Sequence, residues 1–123
     1  MQTVSTSNEP ILVLGGTGKT GRRIVERLRS RGLPVRVGSR AATPPFDWAR
    51  EDTWDDALDG VSSIYISYAP DLAIPGAKDA IAALVWRAKL HGAKRLVLLS
   101  GRGEQEAQAC EKIVQDSGLE WTI

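Results

Sequence analysis

Four apolar residues, Ile11-Leu12-Val13-Leu14, run straight into Gly15-Gly16-Thr17-Gly18-Lys19-Thr20-Gly21, and a helix-like pattern begins at once. A short apolar run bounded by glycine reads as a strand buried on both faces, as in a parallel sheet. The glycines fit two overlapping registers, Gly15-x-x-Gly18-x-x-Gly21 and Gly16-x-Gly18-x-x-Gly21. Both are forms of the turn that carries a dinucleotide. One glycine makes the sharp strand exit, one lets the backbone approach a pyrophosphate, and the third lets the helix pack closely on the strand. The phosphates would sit at the positive end of the helix dipole, facing unpaired N–H groups. Gly15, Gly16, Thr17, Gly18, Lys19, Thr20 and Gly21 are therefore the expected pyrophosphate turn.

Gly18-Lys19-Thr20 also resembles the end of a nucleoside-triphosphate loop, G-x-x-x-x-G-K-[ST]. That pattern needs glycine five positions before Gly18, where this chain has Val13 inside the strand run. The triphosphate reading fails on spacing.

A chain of 123 residues is one domain with room for a core. Its 16 basic and 15 acidic residues nearly cancel, which gives no general argument for nucleic acid or an acidic membrane as partner. Lys19, Arg22, Arg23, Arg27, Arg29 and Arg31 crowd the first helix and read as its solvated face. One cysteine, Cys110, excludes an internal disulfide and a cysteine-rich metal site, and reads as a packed or half-buried side chain. The single His91 falls near a helix end, where it can cap, with no acidic or sulfur partner at metal-ligand spacing. No metal is expected. The apolar runs are too short for a membrane span and no signal peptide is evident, so the expected location is the cytoplasm.

Residues 1–9 are polar and read as a flexible tail, and 10–123 as the domain. The first strand covers 10–14 and its helix 19–31, with Ile24, Val25 and Leu28 at helical spacing and Gly32 as the stop. A second strand follows over 34–38. Phe46 is expected to close a short third strand, and 52–58 a short helix with Trp54 and Leu58 on one face. A strand over 61–67, a helix over 76–91 burying Ile81, Leu84, Val85 and Ala88, and a strand over 95–100 come next. Trp86 points off that buried stripe. A helix over 104–117 and an incipient strand at 120–123 complete the chain. Alternating strands and helices predict an α/β fold: a Rossmann-like parallel sheet of five to six strands with helices on both faces.

The end of the second strand decides which cofactor such a fold takes. An acidic residue there would grip a ribose 2′-hydroxyl, as NAD requires. This chain has Ser39 and Arg40 instead, which suit a 2′-phosphate through charge-assisted hydrogen bonds. The pair favours NADP over NAD, the alternative being a merely solvated Arg40. Asp47 and Trp48 would stand where strand ends bind ligands, Asp47 accepting from an adenine amino group and Trp48 either beside the ring or plugging the loop.

Taken together, Leu14-Gly-Gly-Thr-Gly-Lys-Thr-Gly-Arg-Arg, Arg40, Leu98-Leu-Ser-Gly and Ser117-Gly-Leu-Glu-Trp-Thr-Ile resemble the NmrA-like atypical short-chain dehydrogenase/reductases. The resemblance spans about residue 10 to the end. It implies NADP(H) or NAD(H) on this domain, with Tyr68, Ala69 and Pro70 on the nicotinamide side and Ser100 and Gly101 lining the reacting face. It also implies a longer protein, whose sequence continues past Ile123 into a substrate-binding part, so this chain is expected to be an N-terminal portion: a truncated gene product, a fragment or a degraded preparation.

The wider superfamily uses a Tyr-x-x-x-Lys pair, the lysine lowering the tyrosine pKa so that it can pass a proton at the carbonyl. Here the only tyrosines, Tyr65 and Tyr68, have Ala69 and Leu72 four residues on, and the family register puts Gly103 and Ala107 at the two positions. Ser100 matches the usual serine, which either hydrogen-bonds a substrate oxygen or ends the strand. The catalytic residues are thus unassigned, with Ser100 the one candidate. Two functions follow from the resemblance: a reductase acting on a quinone or another carbonyl, or a non-catalytic NAD(P)H sensor that switches a protein partner. A homodimer through the two later helices, Trp86 included, is a further expectation.

Overall fold

The structure, a computed structural model, describes residues 9–15, 19–67, 76–99 and 105–123. The strands are β1 (Ile11–Leu14), β2 (Val35–Gly38), β3 (Ser63–Ile66), β4 (Arg95–Leu98) and β5 (Glu120–Thr122). The helices are α1 (Lys19–Ser30), α2 (Trp54–Leu58, entered through a 3-10 turn at Glu51–Thr53), α3 (Ala77–Leu90) and α4 (Gln105–Gln115). All four strand pairings are parallel, and the sheet order is β2-β1-β3-β4-β5. This is the Rossmann-like α/β architecture expected from the alternating pattern.

Register explains how the apolar runs divide. Leu12 lies opposite Ile64, and Ile64 opposite Leu96. Because side chains alternate across a pleated strand, these three share one face. They join Leu14, Ile66 and Leu98 under Trp54 and Leu58 of α2, Ile81, Leu84 and Val85 of α3, and Cys110 and Val114 of α4. Val13 and Tyr65, paired across β1 and β3, face the other way and meet Val25 of α1, with Ile24 and Leu28 packed beside them. Strands buried on both sides lose the polar alternation of a one-sided sheet, hence the continuous apolar runs.

Chain direction then creates the useful geometry. From β1 the chain crosses through α1 to β2 on one side. It returns through α2 to β3 on the other side of β1, and every later crossover steps further away. Right-handed crossovers in opposite directions place their helices on opposite faces, so α1 covers one face while α2, α3 and α4 cover the other.

The strand expected at Phe46 does not form. Pro44 and Pro45 precede it and have no N–H to donate to a ladder with β2. The Phe46 N–H instead donates to the Ser39 carbonyl at 2.8 Å, closing the intervening segment into a loop. Phe46 is buried all the same, as a core residue and not a strand residue. β2 is consequently an edge strand. The predicted stripe of α3 is buried as the spacing implies, and Trp86 is 63% exposed. Cys110 is fully buried. No helix of the described residues is long and apolar enough to cross a membrane.

Candidate functional site

The strand order reverses between β1 and β3, and in open parallel sheets that is where the connections part to leave a crevice at the C-terminal strand ends. Gly15, just past β1, and Ser67, just past β3, face each other across it. Gly15 has φ +74°, in the left-handed region, and a Cβ placed on it would lie 3.1 Å from Ser67 Cβ and 3.2 Å from Ser67 Oγ. Only glycine makes this exit from β1 without strain and without crowding Ser67.

A cleft of about 350 Å³ opens at this point, lined by Gly15, Gly38, Ser39, Arg40, Phe46, Asp47, Trp48 and Ser67. At its β2 side, a Cβ on Gly38 would come within 2.5 Å of Leu14 Cδ2 and 3.3 Å of Leu12 Cδ1. The fully buried leucines of β1 therefore fill the space a side chain would need there. Ser39 anchors the next loop through its carbonyl, which accepts from the N–H groups of Ala42 (3.2 Å) and Phe46 (2.8 Å). Arg40 is exposed on the cleft rim, and its guanidinium forms no ion pair among the described residues.

The far wall is the segment Phe46-Asp47-Trp48. Asp47 is held at both of its peptide groups: its N–H donates to Thr53 Oγ1 at 3.0 Å, and its carbonyl accepts from Trp54 Nε1 at 2.8 Å and from the Arg50 N–H at 3.0 Å. One carboxylate oxygen, Oδ1, accepts from the Ala49 N–H at 2.9 Å. Trp48 meets the Phe46 and Trp54 rings edge-on, at 5.1 Å and 5.7 Å between centroids. Its indole thus packs on the core while lining the cleft.

Behind this wall lies a polar clamp. Arg87 of α3 donates to Asp55 Oδ2 at 2.9 Å and to Glu51 Oε1 at 3.3 Å, and His91 Nε2 lies 3.0 Å from Asp55 Oδ1. Hydrogen bonding from His91, and then from Arg87, holds the Asp55 carboxyl below the usual aspartate value. On β2, Arg36 Nη1 donates to the carbonyls of Asp59 (2.7 Å), Ala57 (2.8 Å) and Asp56 (3.4 Å), supplying the end of α2 with the cation that a helix C-terminus favours. His91 also terminates α3, its N–H donating to the Arg87 carbonyl at 3.0 Å.

Five of the expected site residues, Gly15, Ser39, Arg40, Asp47 and Trp48, line this one cleft. Lys19 and Thr20 are exposed in the first turn of α1, which carries no acidic residue, and Gly21 is buried in the same helix. Gly16, Thr17, Gly18, Tyr68, Ala69, Pro70, Ser100 and Gly101 lie outside the described residues. Gly38, Phe46 and Ser67 line the cleft without having been singled out as site residues; each stands beside one that was, and the strand-end rule applied to β3 would have pointed to Ser67. Tyr65 belongs to the α1 face, where burial pushes its phenol above the ordinary tyrosine value. No group of three or more His, Cys, Asp and Glu side chains among the described residues is arranged to hold a metal ion.

No family model matches the chain. It is 36% identical over 107 residues to festuclavine dehydrogenase easG of Aspergillus fumigatus, an alignment covering 73% of this chain and 35% of that protein. A short-chain dehydrogenase/reductase superfamily protein of Agrobacterium tumefaciens, solved with bound NAD, superposes with a TM-score of 0.71 at 19% identity, over 90% of this chain and 47% of that one. The NADPH-dependent quinone oxidoreductase QOR2 of Escherichia coli, solved with NADPH, gives a TM-score of 0.72 at 21% identity, over 90% and 46%. The chain thus spans about a third of the curated relative and about half of each solved structure. It shares the Rossmann-like fold of these structures, and the proteins it resembles include dehydrogenases and reductases.

Proposed function

We propose that residues 10–123 are the NADP(H)-binding domain of an NmrA-like reductase whose complete form acts on a quinone or another carbonyl compound. One observation carries the reading. Gly15, Ser39, Arg40, Asp47 and Trp48 come from three separate stretches of sequence, and all line one cleft at the reversal of strand order.

The cleft suits such a cofactor in three respects. Gly15 leaves open the space a Cβ would fill beside Ser67, as a pyrophosphate passing close to backbone requires. The first turn of α1 has no carboxylate to repel phosphate, and Lys19 stands in it. Arg40 stands exposed at the rim beside Ser39, with no carboxylate partner among the described residues to compete for its donors. In this reading Gly15 to Gly21 cradle the pyrophosphate, Ser39 and Arg40 hold the 2′-phosphate, and Asp47 and Trp48 border the adenine. Asp47 keeps acceptor capacity on its carboxylate for the adenine amino group, since among the described residues only Oδ1 is committed, to the Ala49 turn. Tyr68, Ala69 and Pro70 flank the nicotinamide side, and Ser100 and Gly101 the reacting face.

When bound, the reduced nicotinamide supplies a hydride. The residues proposed here bind and orient; none is assigned the proton. A quinone asks little of a protein acid, because water can protonate the reduced product. That accommodates the missing Tyr-x-x-x-Lys pair.

The same missing pair favours a second reading, a non-catalytic NAD(P)H sensor. Titration with NADPH followed by a panel of quinones separates the two in the full-length gene product. Steady NADPH oxidation supports the reductase, saturable binding without turnover supports the sensor, and no binding contradicts both.

A further inference from the structure

The Phe46-Asp47-Trp48 wall belongs to no strand of the sheet, so its position must be fixed in another way. Trp54 touches all three residues. Its ring stacks on Phe46 with 5.7 Å between centroids and 14° between planes, and meets Trp48 edge-on at 5.7 Å and 81°. Between these contacts its Nε1–H donates to the Asp47 carbonyl at 2.8 Å. The preceding residue, Thr53, accepts the Asp47 N–H at 3.0 Å. Two consecutive residues thereby hold both peptide groups of Asp47.

Trp54 is itself immobilised. It is 1% exposed, and the Arg87 guanidinium carbon lies 5.9 Å from the centroid of its ring. Arg87 is pinned by Asp55 and Glu51, and Arg36 closes the far end of α2. Hydrogen-bond geometry weakens steeply with misalignment, so a wall tied at this many points offers its acceptors in one place only. A wall free to drift would lose base recognition while keeping the fold.

We infer that Trp54 is a positioning residue for the nucleotide cleft, fixing Asp47 and Trp48 where they meet the adenine ring. The inference rests on the dinucleotide reading above. Trp54→Phe keeps an aromatic ring in the core and removes the N–H that holds the Asp47 carbonyl.

The test is a titration of the full chain with NADPH and with its deamino analogue, in which hypoxanthine replaces adenine and the amino group is gone. Trp54→Phe is expected to unfold cooperatively and bind NADPH about three- to tenfold more weakly, the scale of one lost hydrogen bond. Its preference for NADPH over the deamino analogue should fall toward one. Unchanged affinity and preference in a folded variant overturns the inference. So does an equal loss for both ligands with the preference intact, which marks a merely structural role. Should Trp54→Phe fail to fold, Thr53→Val removes the other support of Asp47, and the same two readings decide. A wild-type chain that binds no NADPH overturns the dinucleotide reading itself, whereas wild-type binding with an indifferent variant overturns only the role of Trp54.

Discussion

Gly15 and Ser67 face each other across the reversal of strand order, close enough that a single methyl on Gly15 would sit 3.1 Å from Ser67 Cβ. Gly15→Ala would also force alanine into the left-handed region, at φ +74°. That conformation costs about 1–2 kcal/mol for a residue with a Cβ. Urea unfolding should show a loss of this size, together with weaker NADPH binding from the narrowed strand exit. A variant as stable and as tight-binding as wild type contradicts the assignment.

Gly38 is constrained differently, by volume alone. An added Cβ meets Leu14 Cδ2 at 2.5 Å, and both Leu14 and Leu12 are fully buried. Overpacking of this kind costs about 1–3 kcal/mol. Gly38→Ala should lower the urea midpoint accordingly, and Gly38→Ala combined with Leu14→Val should recover part of the loss if the clash is local.

The Arg36 guanidinium serves three carbonyls at the end of α2, a helix of five residues with few internal hydrogen bonds. Removing it leaves those acceptors to water. A hydrogen bond to a charged group contributes about 1.5–3 kcal/mol net, and at this partly exposed site water can take over part of what the three bonds supply, so a total of about 1–2 kcal/mol is expected for Arg36→Met. Thermal melts test this, and a melting temperature equal to wild type would refute it.

Acid should destabilise the chain through Asp55. His91 and Arg87 hold its carboxyl below the usual aspartate value, with Glu51 sharing Arg87. A folded pKa below the unfolded one means that the native state binds fewer protons. The stabilisation is therefore present above the unfolded value and is lost as pH falls through the folded one. Melting temperature should drop as pH falls below the ordinary aspartate range, and Asp55→Asn should flatten that part of the profile. High salt should shrink the difference, because the cluster lies at the surface. Identical profiles for wild type and variant would remove Asp55 from the explanation.

The fold was legible because its signals are local. An apolar tetrapeptide followed by spaced glycines specifies β1, the turn and α1 with little help from the rest of the chain, and the same logic finds β3, β4 and the buried stripe of α3. Phe46 was misread as a strand residue because its burial comes from rings at positions 48 and 54, while the two prolines before it deny the ladder its donors. The supports of the cleft were harder still to see. Nothing local tells that the Trp54 N–H reaches a carbonyl seven residues back, or that Arg36 caps a helix some twenty residues on. Such contacts depend on how the chain returns after β2. That Ser39 and Arg40 line the cleft was legible because they follow directly on the end of β2, whereas Asp47 reaches it from a loop and not from the strand end expected at Phe46.

In the proposed function the cleft takes a 2′-phosphorylated dinucleotide, with Arg40 as the residue that selects it. The most direct test is calorimetric titration of wild type and Arg40→Ala with NADPH and with NADH. A charge-assisted contact to the 2′-phosphate predicts about a tenfold or greater loss for NADPH and little change for NADH. Equal losses for the two cofactors, or no binding of either by wild type, would contradict it.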